Sequence, residues 1–249
     1  MSDLQTVYDQ MGRKVTFSSL PKRIISLVPS QTEFLIDIGA PVVGRTKFCI
    51  HPKEQLADIP IIGGTKNFRF DAIRDLKPDL IIGNKEENYR EGIEMLEKDF
   101  PVWMSDIYTL EDAFAMMTAL GSICDKREIT QETVEDCEKA MEVVKRTKSG
   151  KVIYLIWKSP WMAAGKDTFI DHLLKHLGYE NLIQDCRYPE ITDEEIETLD
   201  PDYILFSSEP FPFKEEHIFL AENKWPKTKC LLVDGELYSW YGSRLKEWT

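Results

Sequence analysis

The sequence predicts an α/β protein of two similar lobes with mostly parallel sheets, joined by one long rigid helix. Two observations carry that prediction. The first is an internal repeat: residues 71–82 read DAIRDLKPDLII and residues 194–205 read EEIETLDPDYIL. An acidic residue, Ile73/Ile196, Leu76/Leu199, Pro78/Pro201, Asp79/Asp202 and Ile81/Ile204 align without a gap. Each copy reads as a short helix broken by Pro-Asp and followed by a buried strand. The second observation is the segment between the copies, TQETVEDCEKAMEVVKRT at residues 130–147. Val134, Cys137, Met141 and Val144 recur there at three- and four-residue steps, a single apolar stripe on a helix about 27 Å long. Thr130 is the candidate N-cap, Lys145, Arg146 and Lys148 suit the negative pole, and Gly150 ends the helix.

In chain order, residues up to 21 read as an entry hairpin with alternating apolar positions around Met11-Gly12. RIISLV at residues 23–28 is a hydrophobic strand leading into a helix, where Ser30-Gln-Thr-Glu33 fits a capping box. A short strand at 42–44 empties into RTKFCIHP, which carries Phe48, Cys49 and His51 as loop residues. Gly63-Gly64-Thr65-Lys66-Asn67 is a turn before the first repeat, and Gly83-Asn84-Lys85 follows its strand. The second half repeats this order: the strand KVIYLIW, a longer loop, a helix ending at Leu177-Gly178, then the second copy. The strands 102–105 and 231–233 both run into Asp, at Asp106 and Asp234. The domains expected are an N-terminal lobe at 1–126, a connecting helical segment at 127–149 and a C-terminal lobe at 150–249.

Loops at strand ends are where open α/β sheets bind ligands. In the second lobe those loops are rich in aromatics: Trp157 and Trp161, Tyr188, Phe211 and Phe213, then Tyr238, Trp240 and Tyr241 with Arg244. Together they suggest an apolar cleft carrying a few polar groups.

The bulk numbers exclude several classes. A formal charge of −12 argues against a nucleic-acid or anionic-membrane partner. No apolar run approaches the roughly 20 residues of a membrane span. The stretch MSDLQTVYDQMGRKV lacks the apolar core of a signal peptide, which leaves a cytoplasmic location or a trimmed leader. Five cysteines without CxxC spacing suit a reducing compartment. Ala164-Gly-Lys166 fails as a phosphate loop because Pro160 stands where its first Gly belongs. His172 and His176 lie four apart but lack a carboxylate at matching spacing, so no metal site and no catalytic set is expected.

RIISLVPSQTEFLIDIGAPVVGRT, the Gly-Gly turn, DAIRDLKPDLIIG, the Trp-loop-AAG stretch, YPEITDEEI and SEPFPF together resemble the helical-backbone (class III) solute-binding proteins of ABC importers. The similarity is greatest to the cobalamin (vitamin B12)-binding branch, whose relatives carry ferric siderophores or haem. It runs from about residue 22 to residue 244. It implies two Rossmann-like lobes, no intrinsic cofactor, no enzymatic activity and a corrinoid or ferric chelate held between the lobes as ligand. The implied partners are the membrane subunits of an importer, met by a monomeric, extracytoplasmic protein that does not itself span the membrane. The ligand-facing positions fall on Ser30, Gln31, Phe48, Thr65, Asn84, Trp157, Tyr188 and Trp240, with Arg244 beside them. The transporter-docking acids fall on Asp71 and Glu194. Thr65 and Asn84 depart from the aromatic residues frequent in cobalamin binders, and the chain ends soon after Arg244, where relatives continue through a helix. The alternatives are a ferric siderophore or haem binder, helped by Lys47, His51 and Arg244, and a cytoplasmic corrinoid or chelate chaperone or sensor without a transporter.

Overall fold

The computed structural model describes residues 4–18 and 20–249. Residues 1–3 of the N-terminal stretch and residue 19 of the expected hairpin region lie outside the described residues. The chain forms two compact units. The first draws on the chain through Ile107, on Glu111–Glu138 and on Tyr241–Lys246. The second draws on Tyr108–Leu110, Lys139–Trp240 and Glu247–Thr249.

The first unit opens with the antiparallel hairpin β1 (Leu4–Tyr8) and β2 (Lys14–Ser18). The Asp9 carboxylate closes its turn by accepting the N–H groups of Met11 and Arg13. Next come β3 (Ile24–Ser26), α1 (Pro29–Asp37), β4 (Val42–Arg45), the small pair β5 (Gly63–Gly64) and β6 (Asn67–Phe68), and α2 (Phe70–Leu76). β7 (Leu80–Asn84), α3 (Arg90–Leu96), β8 (Val102–Ser105) and α4 (Leu110–Ile123) complete the series. The main sheet runs β4-β3-β7-β8, all parallel. β3, β7 and β8 are buried along their whole length, which is why they read as unbroken apolar runs rather than alternating ones.

α5 (Arg127–Val144) follows as one continuous helix of 18 residues. It begins three residues before the expected Thr130 cap, because Arg127-Glu-Ile are sound helix formers and extend it backwards. Thr130 instead lies buried inside the helix against Gly121, where any Cβ on the glycine would meet Thr130 Oγ1 at 2.1 Å. It ends at Val144, with the Thr147 hydroxyl donating to the Val144 carbonyl at 2.7 Å. Of the predicted stripe, Cys137, Met141 and Val144 are buried and Val134 is half-buried.

The second unit contains β9 (Lys151–Trp157), β10 (Trp161–Ala163), α6 (Phe169–Leu177), β11 (Glu180–Asn181), β12 (Glu190–Ile191) and α7 (Asp193–Leu199). β13 (Tyr203–Ser207), α8 (Glu215–Lys224), β14 (Lys229–Val233) and α9 (Gly235–Ser239) complete it, before a 3₁₀ turn at Ser243–Glu247. Its sheet runs β12-β10-β9-β13-β14, with β11 also on β9. β9, β11, β13 and β14 are parallel, β10 runs antiparallel to β9, and β12 pairs antiparallel with β10.

The repeat is visible in detail. α2 and α7 each span seven residues and bury one isoleucine completely, Ile73 and Ile196. Each ends in a left-handed residue just before the proline, Lys77 at φ 46° and Asp200 at φ 47°. The following aspartates tie the strand starts together. Asp79 accepts the N–H groups of Lys22 and Arg23 at 2.7 and 2.9 Å, and Asp202 accepts that of Lys151 at 2.7 Å. The Pro-Asp pair therefore stops a helix and pins the entrance of the neighbouring strand in one move.

Candidate functional site

In the first unit the strand ends are polar. Ser30 and Gln31 sit in the first turn of α1, directly after β3. Gln31 is fully buried, its Nε2 donates to Ser105 Oγ at the end of β8, and its Oε1 finds no partner among the described residues. Asn84, at the end of β7, also donates to Ser105 Oγ, at 2.9 Å. Its Oδ1 accepts the N–H groups of Glu86 and Glu87 at 2.9 and 3.0 Å, which shapes the loop after the strand. Asn88 receives the Asn84 N–H at 2.9 Å and donates to the Thr65 carbonyl at 3.1 Å. Gln31, Asn84 and Thr65 are thus brought together through Ser105 and Asn88. The Tyr241 hydroxyl lies beside those of Ser30 and Ser105, and burial pushes its ionisation well up.

Phe48 is half exposed, with the Lys47 ammonium 4.8 Å from its ring centroid and Gly64 leaving room for the ring edge. Arg244 is buried in a two-bond ion pair with Glu33, Nε to Oε2 at 3.0 Å and Nη2 to Oε1 at 2.6 Å. Burial raises the Glu33 carboxyl above its ordinary value although Arg244 pulls the other way. The expected capping box is therefore not formed. α1 starts at Pro29 with Val28 as an uncapped N-cap, so Ser30 stands inside the helix and Glu33 turns to the guanidinium. Cys49 is likewise not a surface loop residue. It is fully buried, with Sγ 3.0 Å from Thr32 Oγ1 and 3.2 Å from Thr46 Oγ1, and burial raises its thiol.

In the second unit the strand ends are aromatic. Trp157 closes β9 and is 40 % exposed, its indole edge-on to Phe211 at 5.6 Å. Phe211 is held there by its N–H bonding the Ile156 carbonyl at 3.3 Å and by Phe213 at 4.7 Å behind it. Phe213 in turn packs on Trp161 and Phe206, so the exposed pair rests on a buried aromatic stack. Trp240 is nearly buried, and its Nε1 donates to Glu209 Oε1 at 2.9 Å, an oxygen that also accepts from Ser239 Oγ at 3.1 Å. Burial, with Glu236 nearby, raises the Glu209 carboxyl above its ordinary value. Tyr188 is half-buried just before β12.

Asp71 and Glu194 occupy the second position of α2 and α7, both exposed. Asp71 makes only a loose pair with Arg74, at 3.3 Å. His176 Nε2 lies 2.8 Å from the Met141 carbonyl, and among the described residues no group of three His, Cys, Asp or Glu is placed to hold a metal ion. Sequence reasoning missed Ser105 and Glu209. A hydroxyl ending the apolar strand VWMS, and a lone acid within SSEPFPF, were the available signals.

No described helix is long and apolar enough to cross a membrane. An uncharacterised ABC-transporter substrate-binding lipoprotein of Bacillus subtilis is 25 % identical over 216 residues, covering 80 % of this chain and 68 % of that one. A vitamin B12-binding protein of Pectobacterium carotovorum is 23 % identical over 203 residues, covering 77 % and 73 %. Among solved structures, the periplasmic vitamin B12 binding protein of Vibrio cholerae superposes with TM-score 0.78 at 19 % identity, over 91 % of this chain and 93 % of that one. A periplasmic heme binding protein of Pseudomonas aeruginosa gives 0.79 at 21 %, over 92 % and 90 %. These two likenesses establish the fold. The profile of the periplasmic binding protein family matches residues 24–224, and the chain belongs to that family.

Proposed function

We propose that the protein is a non-enzymatic solute-binding protein that holds a corrinoid and presents it to an ABC importer on the extracytoplasmic side. The observation that carries the reading is the Trp157–Phe211 pair, a large apolar surface left partly open at the end of β9 and braced from behind. A broad aromatic face suits a wide, mostly apolar macrocycle. Vitamin B12-binding proteins among the relatives support the same choice. Arg244 bears on the alternative. An anionic ferric chelate calls for an available cation, and this guanidinium is committed to Glu33.

Titration with cyanocobalamin, haem and a ferric siderophore tests the ligand. Cobalamin is expected to bind, and Trp157→Ala to weaken it by about tenfold or more, as loss of an aromatic anchor commonly does. Tight siderophore binding without cobalamin binding would transfer the assignment to ferric chelates. For the partner, Asp71 and Glu194 are proposed as docking charges, since equivalent helices each place an exposed acid at their second position. Asp71→Ala with Glu194→Ala should reduce importer association, in a salt-dependent way, and leave ligand affinity unchanged.

A further inference from the structure

The second unit carries a pocket of about 600 Å³ at the starts of its strands, the opposite end of the sheet from Trp157. Arg146, Lys148 and Lys175 line it, together with Gly178, Tyr179 and Glu180. Three cations lining one open depression is notable in a chain of net charge −12. The ordinary explanation for basic residues here is the negative pole of α6, whose last carbonyls need partners. Backbone groups already meet that need. Tyr179 N–H bonds the Leu174 carbonyl at 3.0 Å and Gly178 N–H the Lys175 carbonyl at 3.1 Å. Arg146 N–H bonds the His176 carbonyl and Lys148 N–H the Leu177 carbonyl, each at 2.9 Å.

This close backbone approach depends on Gly178, at φ 105°, where a Cβ would meet the Lys148 carbonyl at 2.3 Å. The segment 146–148 is thereby laid against the end of α6 by its backbone, with the Arg146 and Lys148 side chains left over. Lys175 pairs with Asp171 at 2.5 Å, whereas Arg146 and Lys148 have no acidic partner among the described residues.

We infer that this pocket binds an organic phosphate, with Arg146 forked on the phosphate oxygens and Lys148 and Lys175 as flanking charges. Glu180, also in the lining, is suited to accept a hydroxyl of the attached polyol. A free phosphate ester and the head group of an anionic glycerophospholipid share that chemistry.

The test uses the full chain with two probes: calorimetric titration with glycerol 3-phosphate, and sedimentation with phosphatidylglycerol vesicles against phosphatidylcholine vesicles. Saturable binding of the ester identifies a free ligand, and selective sedimentation with phosphatidylglycerol alone identifies a head group. Either should fall by about tenfold or more in Arg146→Glu with Lys148→Glu, and should fall as salt is raised. The neutral pair Arg146→Gln with Lys148→Gln, checked by thermal melting, guards against a folding defect and should lose binding as well. Failure of the wild type to bind either probe, or undiminished binding by both folded double variants, would overturn the inference.

Discussion

At the start of β3 the Asp79 carboxylate takes the N–H groups of Lys22 and Arg23, and at the start of β9 Asp202 takes that of Lys151. Followed to their far ends, the same two strands meet unlike surroundings. β3 runs into a knot of small polar groups, where Gln31 and Asn84 share Ser105. β9 runs out at Trp157, backed by Phe211 and Phe213. Strand starts must solve one backbone problem, stopping a helix and entering a sheet, and one solution serves both units. Strand ends carry no such common demand, so their side chains are open to differ with the ligand each surface meets.

The comparison can be broken most forcefully at Arg244. Arg244→Ala leaves Glu33 buried without its partner, and a loss of about 4 kcal/mol in chemical denaturation is expected of the first unit. Next come the paired isoleucines. Ile73→Ala and Ile196→Ala should each cost about 3 kcal/mol, because both side chains are wholly buried. A large cost at one and none at the other would end the claim that α2 and α7 do the same job.

The helix starts should separate the units by less. α7 has a reciprocal capping box between Thr192 and Glu195, while α2 has no side-chain cap at Arg69. Thr192→Ala should cost about 1 kcal/mol and Arg69→Ala about a quarter of that, read from thermal melting. The smallest effect is a slope. Glu209 ionises above its ordinary 4.5 because it is buried, so the folded state holds the proton longer than the unfolded one. Its contribution therefore makes stability decline as pH rises from about 4.5 through its folded value. Glu209→Gln should flatten that part of the pH–stability curve, and a steeper decline would contradict the assignment.

The backbone repeat was legible because Pro-Asp after a short amphipathic helix leaves a mark at fixed positions, and both copies fold as read. The sheets were legible because strands buried on both faces are continuous apolar runs. What escaped notice depended on partners distant in sequence. Ser30 and Glu33 look like a capping box in local sequence, but Arg244, 211 residues from Glu33, takes the carboxylate instead. Thr130 looks like a cap until Gly121 appears beneath it. Among the aromatics, position in a loop did not separate the exposed Trp157 from the nearly buried Trp240. The difference lies in Glu209, which receives the Trp240 indole N–H.

The return of Tyr241–Lys246 to the first unit has a bearing on how the chain is made. Leu245 is wholly buried, and Ser243 and Arg244 bond Asp37 and Glu33 of α1. A ribosome delivers the sheet β4-β3-β7-β8 early, yet the residues that finish its packing emerge only after every strand of the second unit. The first unit therefore stays incomplete until the strands of the second have been made, so the half that starts first matures late. During that interval α1 lacks the guanidinium that compensates its buried carboxylate, which leaves the nascent first unit open to proteolysis.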